Sequence, residues 1–315
     1  MRIGVAMAEQ ISSSIDQLED AVRQAAEDGM SSVWLTDPVY GVDAATAIAA
    51  AARSVPQIEV GTAVAPVYFS HPVTMARQAI TADLATGGRF TLGLGLSHQL
   101  IVEGMLHLPY EKPASYMREY LAVLNPLLTD GKVSYKGREF SADVQLLARP
   151  TRPVPVLLAA MAPRMLALAG SQAAGTVLWM TGPKTISEHI VPRISEAAES
   201  AQRPSPRVLC ILPVCVTDDP QRVRRRTAEL LALYNTLPAY KAVLDREGVT
   251  GPADVAIIGD AEEVRGRIQA LAPLGVTDFI AGEIAEDPDE SARTRALLSD
   301  LADGALTPHA RSSRA

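Results

Sequence analysis

The chain of 315 residues reads as a single (β/α)8 barrel, and three observations carry that expectation. Short β-rich runs alternate with helical runs at about 30 residues per unit, as parallel βα repeats require. Runs such as IEVGTAV are apolar without strict alternation, which suits strands covered on both faces. No composition shift, linker or internal repeat of about 20 to 50 residues divides the chain. A doubly wound sheet with a second domain is the alternative arrangement of the same rhythm.

Arg2–Met7 reads as the first strand and Ser14–Asp28 as a helix, with Ile15, Leu18, Val22 and Ala25 at helical spacing and Gly29 as its stop. Ser32–Thr36 is the second strand, and Asp43–Arg53 an alanine-rich helix with Asp43 as its N-cap and Pro56 beyond its end. Ile58–Val64 is the third strand, Pro72–Leu84 a helix with Pro72 in its first turn, and Arg89–Leu94 the fourth strand. The rhythm then breaks. Residues 97–153 precede a fifth strand at Val154–Ala159, where a βα loop ordinarily takes about 2 to 6 residues. This insertion holds a helix from Ala114 to Leu128 and a hairpin-like piece, Lys132–Gln145, and its place at the active face predicts a lid or subunit contact.

The alternation resumes with a helix at Pro163–Gly170, a strand at Thr176–Met180, a helix at Lys184–Ala201 and a strand at Arg207–Thr217. Helical runs at Pro220–Tyr234 and Pro238–Glu247 follow, then an extended Val255–Gly259 and a helix at Ala261–Ala272. Val276–Ala281 supplies the eighth strand and Ser291–Leu301 a closing helix. The barrel is expected to span residues 1–302, with 303–315 as a disordered tail.

With 48% apolar and 21% charged residues, the composition supplies a sizeable core. A formal net charge of -7 argues against nucleic acid or an anionic membrane as partner, since both need a basic surface. The compact basic run Arg222, Arg224, Arg225 and Arg226 has acidic neighbours and reads as a solvated helix face. Cys210 and Cys215 fall on opposite faces of one strand, which predicts two buried thiols in a reducing cytoplasm. The chain opens on a strand, and no apolar run approaches the ~18 residues of a bilayer span.

In a barrel, chemistry belongs at the carboxyl ends of the strands. Four such ends carry candidates: Asp37 with Pro38 and Tyr40, Val64–Tyr68 with His71, Leu96–His98, and Ala159–Arg164. The stretch AAMAPRM puts small residues before a helix start, where backbone N–H groups and the helix dipole favour an anion by about 0.3–1 kcal/mol. Arg164 adds its own charge there; a tight turn that binds nothing is the alternative. GLGLS lacks the third glycine of the dinucleotide fingerprint, and the chain has no P-loop, HExxH or GxSxG pattern. His98, Glu103 and His107 could share a metal only on a helix, and three convergent ligands with a second shell are required, so no metal site is expected. For His98 three readings stand open: an acid or base, a binding residue, or a structural one. Tyr68, His71, Glu103, Tyr110 and Tyr116 are weaker candidates for lining a pocket, while Trp34 and Trp179 lie in strands and are expected to pack.

Three stretches carry a family resemblance: GTAVAPVYFSHPVTMARQAITADLATGGRFTLGLGLSH, AAMAPRMLALAGSQAAGTVLWMTGP, and GVTDF. Through them the chain resembles the bacterial-luciferase-like family of flavin and deazaflavin oxidoreductases, in particular the branch that uses coenzyme F420. That branch includes methylene-tetrahydromethanopterin reductase and the sugar-phosphate and alcohol dehydrogenases. The resemblance implies an F420-dependent oxidoreductase that transfers hydride between the deazaflavin C5 and a small organic substrate, working as a homodimer. An FMN-dependent monooxygenase fed by a partner reductase is one alternative, and a non-catalytic cofactor-binding protein is another.

The same resemblance assigns positions. It places the Ala63–Val64 bond as a cis peptide in a bulge behind the ring, with Ala65 beside it, and Asp37 near the ring's polar edge. Gly95, Leu96, Ser97, His98 and Gln99 match a loop near the cofactor phosphate. Ala159, Ala160, Met161, Ala162, Pro163, Arg164 and Met165 match the cradle of the same tail, and His98 is the candidate catalytic group. The family's sugar-phosphate and alcohol dehydrogenases carry a histidine after the aspartate of the second strand, a tryptophan soon after it, and a glutamate after the fourth. Here Pro38 and His98 stand in the first and last of those places and no tryptophan stands in the other, so sugar-phosphate dehydrogenation is not implied.

Overall fold

A computed structural model describes residues 1–7, 14–150 and 152–306. The strands in chain order are β1 (Arg2–Met7), β2 (Ser32–Leu35), β3 (Glu59–Thr62), β4 (Ala65–Pro66), β5 (Phe90–Gly95), β6 (Lys132–Lys136), β7 (Ser141–Gln145), β8 (Val156–Ala159), β9 (Gly175–Trp179), β10 (Arg207–Val216), β11 (Ile257–Gly259) and β12 (Asp278–Glu283). Eight of them, β1, β2, β3, β5, β8, β9, β10 and β12, pair in parallel and in that order, and β12 pairs back onto β1 with Gly4 opposite Ile280. The expected (β/α)8 barrel is thereby closed.

The lumen is filled rather than hollow. Trp34, Leu157, Val177, Leu209, Ile211 and Ile280 pack together inside the ring. Gly61 makes room for the Trp34 ring, into which a Cβ at that position would run. At the amino ends of the strands an ion network plugs the barrel: Arg207 reaches Glu59 at 2.8 Å and Asp278 at 2.7 Å, Arg2 pairs with Glu59, and Thr91 donates to Glu59 at 2.7 Å. The outer helices form for local reasons. In Ile15–Glu27 the Ser14 hydroxyl accepts from the Asp16 amide, and Leu18, Val22 and Ala25 form the buried stripe.

The chain departs from the sequence expectation at several element ends. The third strand stops at Thr62 and resumes as β4, with the cis Ala63–Val64 bond between. The helix Pro113–Thr129 buries Met117, Tyr120, Leu121 and Leu124 and packs on the helix Pro72–Ala85, so it is the outer helix of the fourth βα unit rather than part of a lid. The hairpin is β6 with β7. The expected helix at 184–201 is a short Pro183–Thr185, a π-helical turn at Ile186–Ile190, and a helix Val191–Ser200. The run Pro220–Tyr234 is α-helical only to Leu230, and β11 pairs with the last residues of β10 outside the closed ring. The closing helix spans Pro288–Leu306, which takes in residues 303–306 of the expected tail; Thr307–Ala315 lie outside the described residues.

Arg222 pairs with Glu286 at 2.9 Å and with Glu290, Arg224 with Glu263 at 3.7 Å, and Arg226 with Glu286 at 3.0 Å, so the basic run is an ion-paired helix face. Cys210 and Cys215 are free, buried, and packed in separate clusters. Among the described residues no helix is long and apolar enough to cross a membrane.

Candidate active site at the carboxyl end of the barrel

The floor of the mouth is where β3 breaks. Thr62 Oγ1 donates to the Gly93 carbonyl at 2.7 Å and accepts from its N–H at 3.0 Å, which replaces strand pairing at the point where the backbone leaves the ladder. A Cβ on Gly93 would strike the Thr62 carbonyl, and one on Gly95 the Val64 side chain. The glycines of GLGLS are therefore close-approach positions for the broken strand. Ala63 and Val64 are half-buried and rest on the lumen cluster, and Ala65 is buried.

Around this floor stand the other sequence candidates. Asp37 follows β2; burial and then the nearby Asp43 carboxylate push its pKa up to about 7 against a hydrogen bond from the Ala44 amide. At the end of β5 the chain turns through Ser97 at φ 59, and the His98 carbonyl accepts the Ile101 amide at 2.9 Å to start the helix Gln99–Gly104. The His98 ring has no hydrogen-bond partner among the described residues and packs beside Tyr240 at 5.8 Å and Tyr234 at 6.4 Å. Burial lowers its pKa below the ordinary histidine value, so it is neutral at pH 7. Glu103 accepts from Gln99 at 2.8 Å and from the Tyr110 amide at 3.3 Å, while His107 lies beyond the helix. No group of three metal-ligating side chains occurs among the described residues.

Ala159 closes β8, and Ala160–Ala162 lead into the helix Pro163–Gln172, whose N-terminus has no side-chain cap. Ala162, Pro163 and Arg164 are exposed, and Arg164 has no ion-pair partner among the described residues, whereas Met165 is buried. The Met161 carbonyl lies 2.8 Å from His189 Nε2 on the π-helical turn. A carbonyl only accepts, so that nitrogen carries the ring proton. The turn is thus held through its Met161 carbonyl.

The structure brings His98 together with three residues outside the sequence-derived site: Trp179, the last residue of β9, Tyr234 and Tyr240. Trp179 sat at a strand end and so carried the one available signal; Tyr234 and Tyr240 lie on a helical excursion with no local mark of function. Asp37 is not among the contacts of His98; the groups acting on it are Asp43 and Ala44. Tyr68 stacks on Tyr116 at 4.3 Å with Tyr110 at 5.5 Å, and its buried hydroxyl has no partner among the described residues. Trp34, as expected, packs, with its Nε1 bonded to Ser32 Oγ at 3.0 Å.

By fold, then, the chain is a (β/α)8 barrel with its strand-end candidates gathered at one mouth. Within that class it belongs to the luciferase-like monooxygenase family, whose model matches residues 1–278. It is 27% identical over 286 residues to the 5,10-methylenetetrahydromethanopterin reductase of Methanolobus tindarius, covering 90% of this chain and 86% of that protein. It is 30% identical over 202 residues to an F420-dependent glucose-6-phosphate dehydrogenase of Amycolatopsis mediterranei, 60% of each chain. Among solved structures, the coenzyme F420 dependent tetrahydromethanopterin reductase of Methanopyrus kandleri superposes with a TM-score of 0.81 at 20% identity, over 95% of this chain and 98% of that one.

Proposed function

We propose that this protein is an F420-dependent oxidoreductase acting on a small organic substrate. The observation that carries the reading is the pairing of a broken third strand with an anion-ready turn in one barrel mouth. The first offers a floor of half-buried Ala63 and Val64 with buried Ala65; the second offers a helix start without a side-chain cap beside Arg164, which is exposed and has no ion-pair partner among the described residues. A planar ring with a phosphorylated tail fits both, and the curated relatives named for reductase and F420-dependent dehydrogenase chemistry support that choice.

When bound, F420 supplies the hydride donor or acceptor at its deazaflavin C5. The rest is the chain's own work. Ala63, Val64 and Ala65 back the ring, and Asp37, titrating near neutrality, offers the ring's polar edge a proton to share. Gly95, Leu96, Ser97, His98 and Gln99, with Ala159, Ala160, Met161, Ala162, Arg164 and Met165, would hold the tail by backbone amides and the Arg164 guanidinium, while Pro163, which has no N–H, starts the helix. His98, neutral and unpaired, can donate a hydrogen bond or relay a proton at the substrate side. Pro38, in place of the histidine that the sugar-phosphate dehydrogenases carry, speaks against a sugar phosphate.

Calorimetric titration tests the reading. F420 is expected to bind at micromolar concentration or tighter, with FMN at least tenfold weaker, and reduced F420 is expected to be oxidised in the presence of an activated enone or imine. Preferred FMN binding would replace this reading with that of a monooxygenase, and binding without turnover would leave a cofactor-binding protein. The resemblance and the long insertion also carry a homodimer, which the mass in solution at micromolar concentration checks.

A further inference from the structure

We propose that Trp179, Tyr234, Tyr240 and His98 form an aromatic clamp for a planar, conjugated, uncharged substrate, with the Trp179 indole N–H donating to the substrate's carbonyl or imine acceptor. The inference rests on the F420 reading for what the clamp does, since it names the substrate class of the same mouth.

Trp179 ends β9 and its ring turns inward, within 3.4 Å of the place where a Cβ of Gly282 would stand on β12. Its Nε1 is buried and has no hydrogen-bond partner among the described residues. The chain satisfies its other indole: Trp34 Nε1 donates to Ser32 Oγ at 3.0 Å. A buried donor left unpaired is costly, so its persistence at a strand end in the mouth points to a ligand acceptor. The nearest protein acceptor is the Tyr234 hydroxyl, whose pKa a hydrogen bond from the indole lowers against burial, but the pair falls outside strict bonding geometry and leaves the donor open to a better acceptor.

The ring geometry sets the shape of the guest. Tyr234 and Tyr240 meet at 4.8 Å and 81°, Trp179 and Tyr234 at 6.3 Å and 66°, and His98 and Tyr234 at 6.4 Å and 87°. Offset-stacked and edge-to-face contacts are the favourable ways for a further flat ring to join such a group. None of the four carries charge at pH 7, because burial lowers the pKa of His98 and raises those of Tyr234 and Tyr240. A phosphate or carboxylate would meet no cation in this cluster, whereas a neutral conjugated carbonyl meets rings and one donor.

The clamp is also held in place. Tyr240 lies on the helix Pro238–Glu247, and the Glu247 carboxylate at its far end accepts the amides of Lys184 at 3.1 Å and Thr185 at 2.8 Å, just past the end of β9. Glu247 is thus a positioning residue that ties the tyrosine-bearing excursion to the strand that carries Trp179.

The test uses menadione, a neutral flat quinone, as probe and glucose 6-phosphate as the anionic control, each titrated by calorimetry into the protein with and without F420. Menadione is expected to bind at least tenfold more tightly than the sugar phosphate. Trp179→Phe, which keeps a ring and removes the donor, is expected to weaken menadione about three- to tenfold while leaving F420 affinity within twofold. Tyr234→Ala is expected to cost about tenfold. Menadione should quench the indole emission of the wild type and not that of Trp179→Phe, whose remaining Trp34 is sealed inside the barrel. Unchanged menadione affinity in both variants, or tighter binding of glucose 6-phosphate, overturns the clamp even where F420 binds. Absent F420 binding with menadione affinity still lowered by Trp179→Phe would overturn the cofactor reading and leave the clamp standing.

Discussion

Replacing Asp37 with asparagine probes whether the mouth stores a proton. In the folded protein the Asp37 pKa stands at about 7 against 3.8 for the unperturbed group, with burial the larger cause and Asp43 the second. The folded state therefore binds this proton more tightly than the unfolded chain. Its stabilising effect is complete below about pH 4 and is lost as pH rises toward 7. Three units at about 1.36 kcal/mol each set a ceiling of about 4 kcal/mol, and the side chain's remaining solvent contact brings the expected penalty of the ionised form to about 1–2 kcal/mol. Asparagine keeps the shape and the acceptor for the Ala44 amide but does not titrate. In urea unfolding at fixed temperature, Asp37→Asn is expected to match the wild type near pH 4 and to exceed it by about 1–2 kcal/mol at pH 8. F420 affinity of the wild type should turn over near pH 7, and that of the variant should not. Stability curves that run parallel from pH 4 to pH 8 would refute the raised pKa, and a variant less stable than the wild type at pH 8 would reverse its sign.

Two further substitutions separate the ends of the barrel. Ala162 is the N-cap of the helix Pro163–Gln172 and supplies no side-chain bond, so Ala162→Asp should stabilise the fold by about 0.5–1 kcal/mol while weakening F420 about tenfold through charge at the tail. Melting and titration read the two effects, and equal or tighter F420 binding would remove the turn from the cofactor site. Arg207→Met should cost about 2–4 kcal/mol at pH 7, because Asp278, 1% exposed, and Glu59 lose their principal cation. Arg207 and Arg2 hold the Glu59 pKa below its ordinary value despite burial, so that carboxylate stabilises the fold above its unfolded pKa and ceases to as pH falls. The cost of the substitution should accordingly be smaller at pH 4 than at pH 7 in chemical denaturation, and an equal cost would contradict the network.

The parts of this fold legible in the sequence are those encoded by neighbours. Asp43 caps its helix through a 2.7 Å bond to the Thr46 amide, three residues on, and Pro72 starts the next helix because its missing N–H is not needed there. Strand runs show because burial on both faces leaves continuous apolar stretches. What sequence periodicity misses is decided at a distance. Ile58–Val64 reads as one strand since nothing in its apolar pattern marks a break, which depends on Thr62 and on the space Gly93 and Gly95 leave. The helical spacing of Pro220–Tyr234 continues past Leu230, yet the chain tightens into a 3-10 turn at Ala232–Thr236 that delivers Tyr234 to the mouth. No local rule places that excursion beside β9; the tie from Glu247 to Lys184 and Thr185 spans the intervening strand.

The two ends of the barrel treat their polar groups in opposite ways. At the amino ends Arg207, Arg2, Glu59, Asp278 and Thr91 satisfy one another, so these charges hold the strand starts together. At the carboxyl ends the Trp179 indole N–H, the Tyr68 hydroxyl and the His98 ring stay without hydrogen-bond partners among the described residues, the helix after β8 starts without a side-chain cap, and the Asp37 carboxyl titrates at about 7. Unpaired donors lower stability, and a fold keeps them where a ligand will complete them. The unpaired groups also differ in kind: amides and a guanidinium at the end of β8 suit an anion, while an indole N–H among uncharged rings at the end of β9 suits a neutral acceptor. Adjacent strands thus divide recognition between a charged, tail-bearing cofactor and an uncharged, flat substrate. A sugar phosphate would have to compete for the same single arginine, so exchanging these two chemistries would require a second cation at the end of β9 rather than a change in the fold.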